Sequence, residues 1–340
     1  MPAPTPAAMP GLDAELIFDL LLCLFLLGLA LRILTTPQLY QGAILFIAFG
    51  LGMALAWTRL AAPDVALAEA AIGAGLVGVL LLDSLRVFAP AATAGLREPA
   101  PARPPSPTRH RQLTAIVLLA AAATVAIPIT LAIWHLPAGG GLTAAVAEAM
   151  PESGVDHPVT AVLLNFRGYD TWLEIGVLLL AMLGLLAIHG DRPSTAGSGG
   201  QAAAVRPDAL LDWLTRLLVP VLVLAAGYLL WLGKFAPGGA FQSGVVLAAA
   251  AILLRLNGFA LIERLPSLAW RAALLLGFAA FLVHGIGSLL AGRALLQYPP
   301  GHAGSWILAL EALAAFSIAF TLAAFFIALN RADRSDPVVH

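Results

Sequence analysis

The sequence predicts an all-α, polytopic membrane protein of about nine helices in three blocks, and three observations carry that reading. Of its 340 residues, 60% are hydrophobic and 11% are charged, against about 25% charged in soluble domains. The mean hydropathy is +0.92. Nine stretches stay apolar over roughly 20 residues, the length that crosses a hydrocarbon core about 30 Å thick at about 1.5 Å per residue.

The nine predicted spans are 16–34, 41–57, 64–85, 113–134, 171–188, 211–232, 237–256, 268–290 and 305–329. The first follows Asp13 and Glu15 with no Lys or Arg before it, so it lacks the basic leader of a cleaved signal peptide and is expected to stay as a span. Pro63-Asp64 opens the third, proline suiting the first helical turn and aspartate the positive helix end. Gly73, Gly75 and Gly78 then thin one side of that helix, which predicts close packing or a local π-type distortion. Asp170 is expected to N-cap the fifth span. Pro237, Gly238 and Gly239 predict a tight break between the sixth and seventh.

Two breaks interrupt the series. A proline- and arginine-rich linker at 89–111 and a Gly/Ala/Ser linker at 190–208 separate a three-span block (1–88), a two-span block (112–189) and a four-span block (209–330), with a tail at 331–340. The pattern suggests a fusion of once-separate small subunits. With the N-terminus outside, fourteen basic residues fall on the cytoplasmic side and four (Arg59, Arg167, Lys234, Arg293) outside. That asymmetry predicts an N-out/C-in orientation. The outer loop at 137–157 fits, carrying Glu148, Glu152 and Asp156 and no basic residue.

The composition also excludes functions. A net charge of −1 leaves no basic face for nucleic acid. The single cysteine, Cys23, lies in an apolar run and supplies neither an intramolecular disulfide nor a metal cluster. No GxxxxGK[ST] loop, GxGxxG turn, HExxH helix or Cys/His cluster occurs, so the chain is expected not to be an enzyme and to need no cofactor or metal.

Ionisable residues inside spans are the functional candidates, because each costs about 2.5–3.5 kcal/mol at a helix centre. Glu69, Glu174 and Glu311 lie in the third, fifth and ninth spans, which all run inward in this topology. Their carboxyls are therefore expected at similar depths, roughly 6–10 Å below the outer helix ends. His284 and Gln242 should share that layer. Burial favours a neutral acid and a nearby cation favours the carboxylate, so proton and cation can alternate at one site. The structural alternative is that these acids hold helices together through hydrogen bonds or ion pairs. Arg167 can pair with Asp170 or with a partner's acid, and Lys234, the single lysine, is either a snorkelling anchor or a proton relay, like His284.

Three segments resemble pieces of one family. Ala62-Pro63-Asp64-Val65-Ala66-Leu67-Ala68-Glu69-Ala70-Ala71-Ile72-Gly73-Ala74-Gly75 resembles the MbhD segment, also found near the C-terminus of the large A-type component of Mrp antiporters. Asn165-Phe166-Arg167-Gly168-Tyr169-Asp170-Thr171-Trp172-Leu173-Glu174 resembles the adjoining MbhE segment, with Asn165 where aspartate is common. Ala236-Pro237-Gly238-Gly239-Ala240-Phe241-Gln242-Ser243-Gly244 resembles the signature of MnhB, the B-type component of Mrp antiporters, with Lys234-Phe235 in place of the usual His-Asn and Ala240 in place of a third glycine. The first two blocks are also similar to the NuoJ-type subunit of complex I, whose third helix can carry a π-bulge.

The resemblance implies a multi-pass subunit of a bacterial or archaeal cytoplasmic membrane, within a multisubunit Na+/H+ antiporter. The alternative is a structural or proton-translocating subunit of a complex I-related respiratory complex such as a membrane-bound hydrogenase. Its partners would be large antiporter-like and small membrane subunits, its ions Na+ and H+. By the same resemblance Glu69 and Glu174 become proton or sodium carriers, with Asp64, Asp170, Arg167, Lys234, His284 and Glu311 around the path.

Overall fold

The computed structural model describes residues 14–88, 108–136, 141–189, 209–262 and 264–332. All regular elements among them are helices. The chain divides into two compact units, Met1–Leu85 with Ala149–His340, and Arg86–Glu148.

In the larger unit, α1 (Ala14–Thr35) and α2 (Leu39–Arg59) form a hairpin. Next, α3 runs as an α-helix over Pro63–Ala68, a π-helix over Glu69–Leu76 and an α-helix again over Val77–Phe88. The expected distortion at the third-span glycines is therefore present. Gly78 lets α3 close onto Ile47 of α2, where an added Cβ would sit 2.7 Å from the Ile47 Cδ1. The Glu69 carboxyl folds over Gly73, whose missing side chain makes the room. Gly75 is exposed.

The smaller unit contains α4 (Thr108–Trp134), which begins inside the stretch expected as linker and is apolar and almost wholly exposed over Ile116–Trp134. The remaining linker residues lie outside the described ones. The loop expected at 137–157 is not irregular throughout: α5 (Thr143–Ser153) occupies its C-terminal half. The turn Pro158–Thr160 and a second π-segment, Ala161–Phe166, together form α6.

Then come α7 (Gly168–His189), α8 (Ala209–Leu232), α9 (Ala240–Leu256), α10 (Ser267–Leu290) and α11 (Ala303–Ala332). Each of the nine predicted spans coincides with a helix. Seven described helices are long and apolar enough to cross a membrane; α9, at 17 residues, is shorter, and α3 is interrupted by its π-segment.

At the centre of the larger unit stands α11. Its Ile307, Leu310, Ala314, Ile318, Phe320 and Phe326 are buried and contribute to all three apolar clusters of the core. Small residues let neighbours approach it: a Cβ on Gly244 of α9 would meet Ile318 at 2.8 Å, and one on Gly277 of α10 would meet Ser317 at 3.0 Å. Close packing of this kind holds helices together in lipid, where apolar side chains gain little from leaving one hydrocarbon environment for another. The Ser317 hydroxyl adds a 2.8 Å bond to the Leu274 carbonyl.

Candidate functional site

Three carboxyls from three separate stretches of chain line one cavity of about 380 Å³ in the larger unit: Asp64, Glu174 and Glu311. Gln242 and Gly238 line it as well.

Asp64 sits in the first turn of α3, behind Pro63 at its start. Its Oδ2 lies 2.9 Å from Nε2 of His157, and its carbonyl accepts a 3.4 Å bond from the Gln242 amide. The His157 position is itself built by the loop between α8 and α9. The backbone N–H groups of Asp156 and His157 both donate to the Lys234 carbonyl, at 2.9 and 3.0 Å, and the Thr160 hydroxyl donates to the Gly233 carbonyl. Extended backbone at His157, imposed by Pro158 after it, turns the chain into α6 and aims the imidazole at Asp64.

Two carbonyls of the α6 π-segment are met by hydroxyls. Thr171 donates to Leu163 and Tyr298 to Leu164, each at 2.8 Å. Burial, then the Glu311 carboxyl, pushes the Tyr298 phenol well above its ordinary pKa, which keeps it a donor.

Glu311 is 3% exposed, on α11. It accepts a hydrogen bond from the Ala240 backbone N–H, at the positive end of α9. The Pro237-Gly238-Gly239 break makes this approach possible. Gly239 has φ 107°, and a Cβ there would lie 2.8 Å from the Glu311 Oε1. The second carboxyl oxygen, Oε2, is buried with no partner among the described residues. A buried charge left half-bonded is costly, so an ionised Glu311 calls for a hydrogen-bond donor or a counter-charge at that oxygen.

Glu174 is exposed on α7, beside the exposed apolar residues Leu173, Val177 and Leu180. Thr171, one turn earlier, is buried and lines the cavity with it.

The other predicted residues lie elsewhere. Glu69 does not line the cavity, although Ala68 and Ile72 beside it on α3 do. Asp170 is not the N-cap of α7, because the helix already begins at Gly168; it pairs instead with Arg167 at 2.8 Å in the first turn. Lys234 contributes its carbonyl to the site, while its ammonium lies 5.5 Å from the Phe235 ring centre. His284 lines a second cavity rather than the carboxyl one, and there it stacks on Tyr298 at 4.6 Å and bonds the Leu296 carbonyl at 3.3 Å. His157, Thr160 and Thr171 were not expected. The His157-Pro158 dipeptide, a helix start just before an apolar run, was the one signal for them.

Family models match residues 24–89 as MbhD, the D component of MBH, and residues 210–329 as a domain related to the MnhB subunit of Na+/H+ antiporters. The chain carries an MbhD domain and an MnhB-related domain in one polypeptide. A probable K(+)/H(+) antiporter A/B-type subunit of Rhizobium meliloti (strain 1021) is 26% identical to it over 137 residues, covering 33% of this chain and 13% of that protein. The MbhD–MnhB fusion thus spans a small part of that relative. In structure it resembles a chain of the Mrp complex from Dietzia sp. DQ12-45-1b, with a TM-score of 0.69 and 21% identity over 98% of this chain and 36% of that one. A chain of the membrane-bound sulfane sulfur reductase, an archaeal respiratory membrane complex, matches with a TM-score of 0.52 and 22% identity, covering 64% of this chain and 97% of that one. The MbhD match holds α3 with Asp64 and Glu69, and the MnhB match holds α8 to α11 with Gln242 and Glu311. The cavity therefore draws on both domains.

Proposed function

We propose that this multi-pass protein is a subunit of a monovalent cation/proton antiporter of the prokaryotic cytoplasmic membrane and contributes buried carboxyls to ion translocation. The convergence of Asp64, Glu174 and Glu311 on one cavity carries the reading. Glu311 alternates between binding a proton at Oε2 and helping to coordinate a cation with the Gln242 amide oxygen and a second carboxyl. His157 passes protons between the outer side and Asp64. Glu174 extends the path toward a partner subunit, because a carboxyl left against lipid is costly and the exposed α7 face around it supplies an apolar rim for that partner. Glu69 stands next to the path on the π-segment of α3, where a shift of helical register would turn it toward the cavity. Lys234 holds the His157 segment rather than relaying protons. Arg167 and Asp170 fix the start of α7. The chain acts as a transporter subunit and performs no chemistry of its own. Its other contacts are large antiporter-like and small membrane subunits, and its orientation is N-out/C-in with nine spans in three fused blocks.

The relatives named above differ in the ion, Na+ for the family description and K+ for the rhizobial protein, so either cation is a substrate candidate. A second reading, as a proton-translocating subunit of a respiratory complex, draws on the likeness to the sulfane sulfur reductase chain. Cation-driven proton movement in vesicles from cells carrying the complex separates the two. Under the first reading, adding Na+ or K+ dissipates a preformed pH gradient without any electron donor, and Glu311→Gln or Glu174→Gln abolishes that response while assembly is kept. A response that requires an electron donor selects the respiratory reading.

A further inference from the structure

The geometry points to a binding site for an anionic phospholipid in the groove between α10 and α11. The groove holds about 550 Å³ and shares no lining residue with the carboxyl cavity. Along its length it is apolar, lined by Ala280, Val283 and Gly287 of α10 and by Ala309 and Leu313 of α11. Val283, 68% exposed, leaves it open on the flank of the bundle. At one end the lining becomes polar: Arg293 and Gln297 from the connecting loop, beside Trp306. The His284 ring, between Tyr298 and Trp306 at 4.6 and 5.4 Å, forms the floor there and anchors the loop through Leu296.

That sequence of surfaces, hydrocarbon along two membrane helices and then a tryptophan in the first turn of α11 and an arginine beyond the end of α10, matches an acyl chain followed by a headgroup. Charge selects the headgroup. Arg293 has no acidic ion-pair partner among the described residues, so an anionic phosphate-bearing headgroup supplies the missing charge. From Leu276 to Gly287 the groove runs about 16 Å along α10, a length that an acyl chain can follow.

The test uses the assembled complex in nanodiscs doped with phosphatidylglycerol or phosphatidylcholine carrying a photoactivatable diazirine in the acyl chain, followed by peptide mapping. Phosphatidylglycerol is expected to label the α10 and α11 peptides about fivefold more than phosphatidylcholine, the selectivity of one arginine near a membrane surface. Arg293→Gln, a loop substitution, should equalise the two lipids. Gly287→Leu fills the groove from a position where an added Cβ meets nothing within 4 Å, and should remove labelling by both with the complex still assembled. Equal labelling by the two lipids in the unmodified protein overturns the proposal, as does labelling of neither helix or a cross-link from these residues to a partner subunit's helix.

Discussion

His157 Nε2 lies 2.9 Å from the Asp64 carboxylate and joins two segments 93 residues apart in the chain. Both side chains are largely shielded, at 12% and 15% exposed. The bond therefore ties the start of α3 to the start of α6 beside the carboxyl cavity, which Asp64 lines. His157→Ala leaves the Asp64 carboxylate without its partner, and a charged hydrogen bond of this kind contributes about 1.5–3 kcal/mol. The variant should assemble, unfold at a lower temperature and exchange cations for protons at least tenfold more slowly. His157→Gln, which keeps a donor and cannot relay a proton, should recover the stability and not the rate; thermal unfolding and vesicle transport read the two separately.

The second prediction concerns Gly239. Its φ of 107° and the 2.8 Å separation between an added Cβ and the Glu311 Oε1 leave no room for a side chain. Gly239→Ala should destabilise the chain by about 1–3 kcal/mol through backbone strain and, by displacing the carboxyl from the Ala240 N–H, should also slow transport. Wild-type melting and transport in Gly239→Ala would show that the α9 start does not hold Glu311.

A third test separates Glu69 from mere packing. Gly73→Ala pushes the Glu69 carboxyl off the π-segment, and because that carboxyl is the free end of a flexible side chain the fold should tolerate it. Transport should fall as far as in Glu69→Gln, with assembly unchanged on gel filtration. A loss in Glu69→Gln alone would mean that the carboxyl matters and its seat over Gly73 does not.

The Arg167–Asp170 pair supports a fourth expectation. The guanidinium is half exposed, and partly exposed pairs contribute about 0–1 kcal/mol. Arg167→Gln should cost the isolated chain little stability, so a large loss of partner subunits on purification would reveal that Arg167 contacts another subunit.

Much of this arrangement was legible in the residues themselves. Apolar length placed a helix at each of the nine predicted spans, and the third-span glycines left close packing or a π-type distortion open, of which α3 shows both, because these signals are local. Intramembrane acids marked Glu174 and Glu311, since a carboxyl is expensive in lipid wherever the rest of the chain goes. Long-range pairing was not legible. Nothing near His157 announces Asp64 or the Lys234 carbonyl that holds its backbone. His284 was placed by helix rise alone, which fixes depth and says nothing about which side of the bundle the ring faces. The Asp170 cap failed by two residues because Gly168 starts α7 early and Arg167 captures the carboxylate.

The most direct test of the exchange mechanism is infrared difference spectroscopy on the purified complex, recording carboxyl bands as Na+ or K+ is added at constant pH. A protonated-carboxyl band that disappears with the cation, and is missing from Glu311→Gln, is the predicted result. A band that survives saturating cation, or one that persists in Glu311→Gln, would contradict proton and cation exchange at this acid.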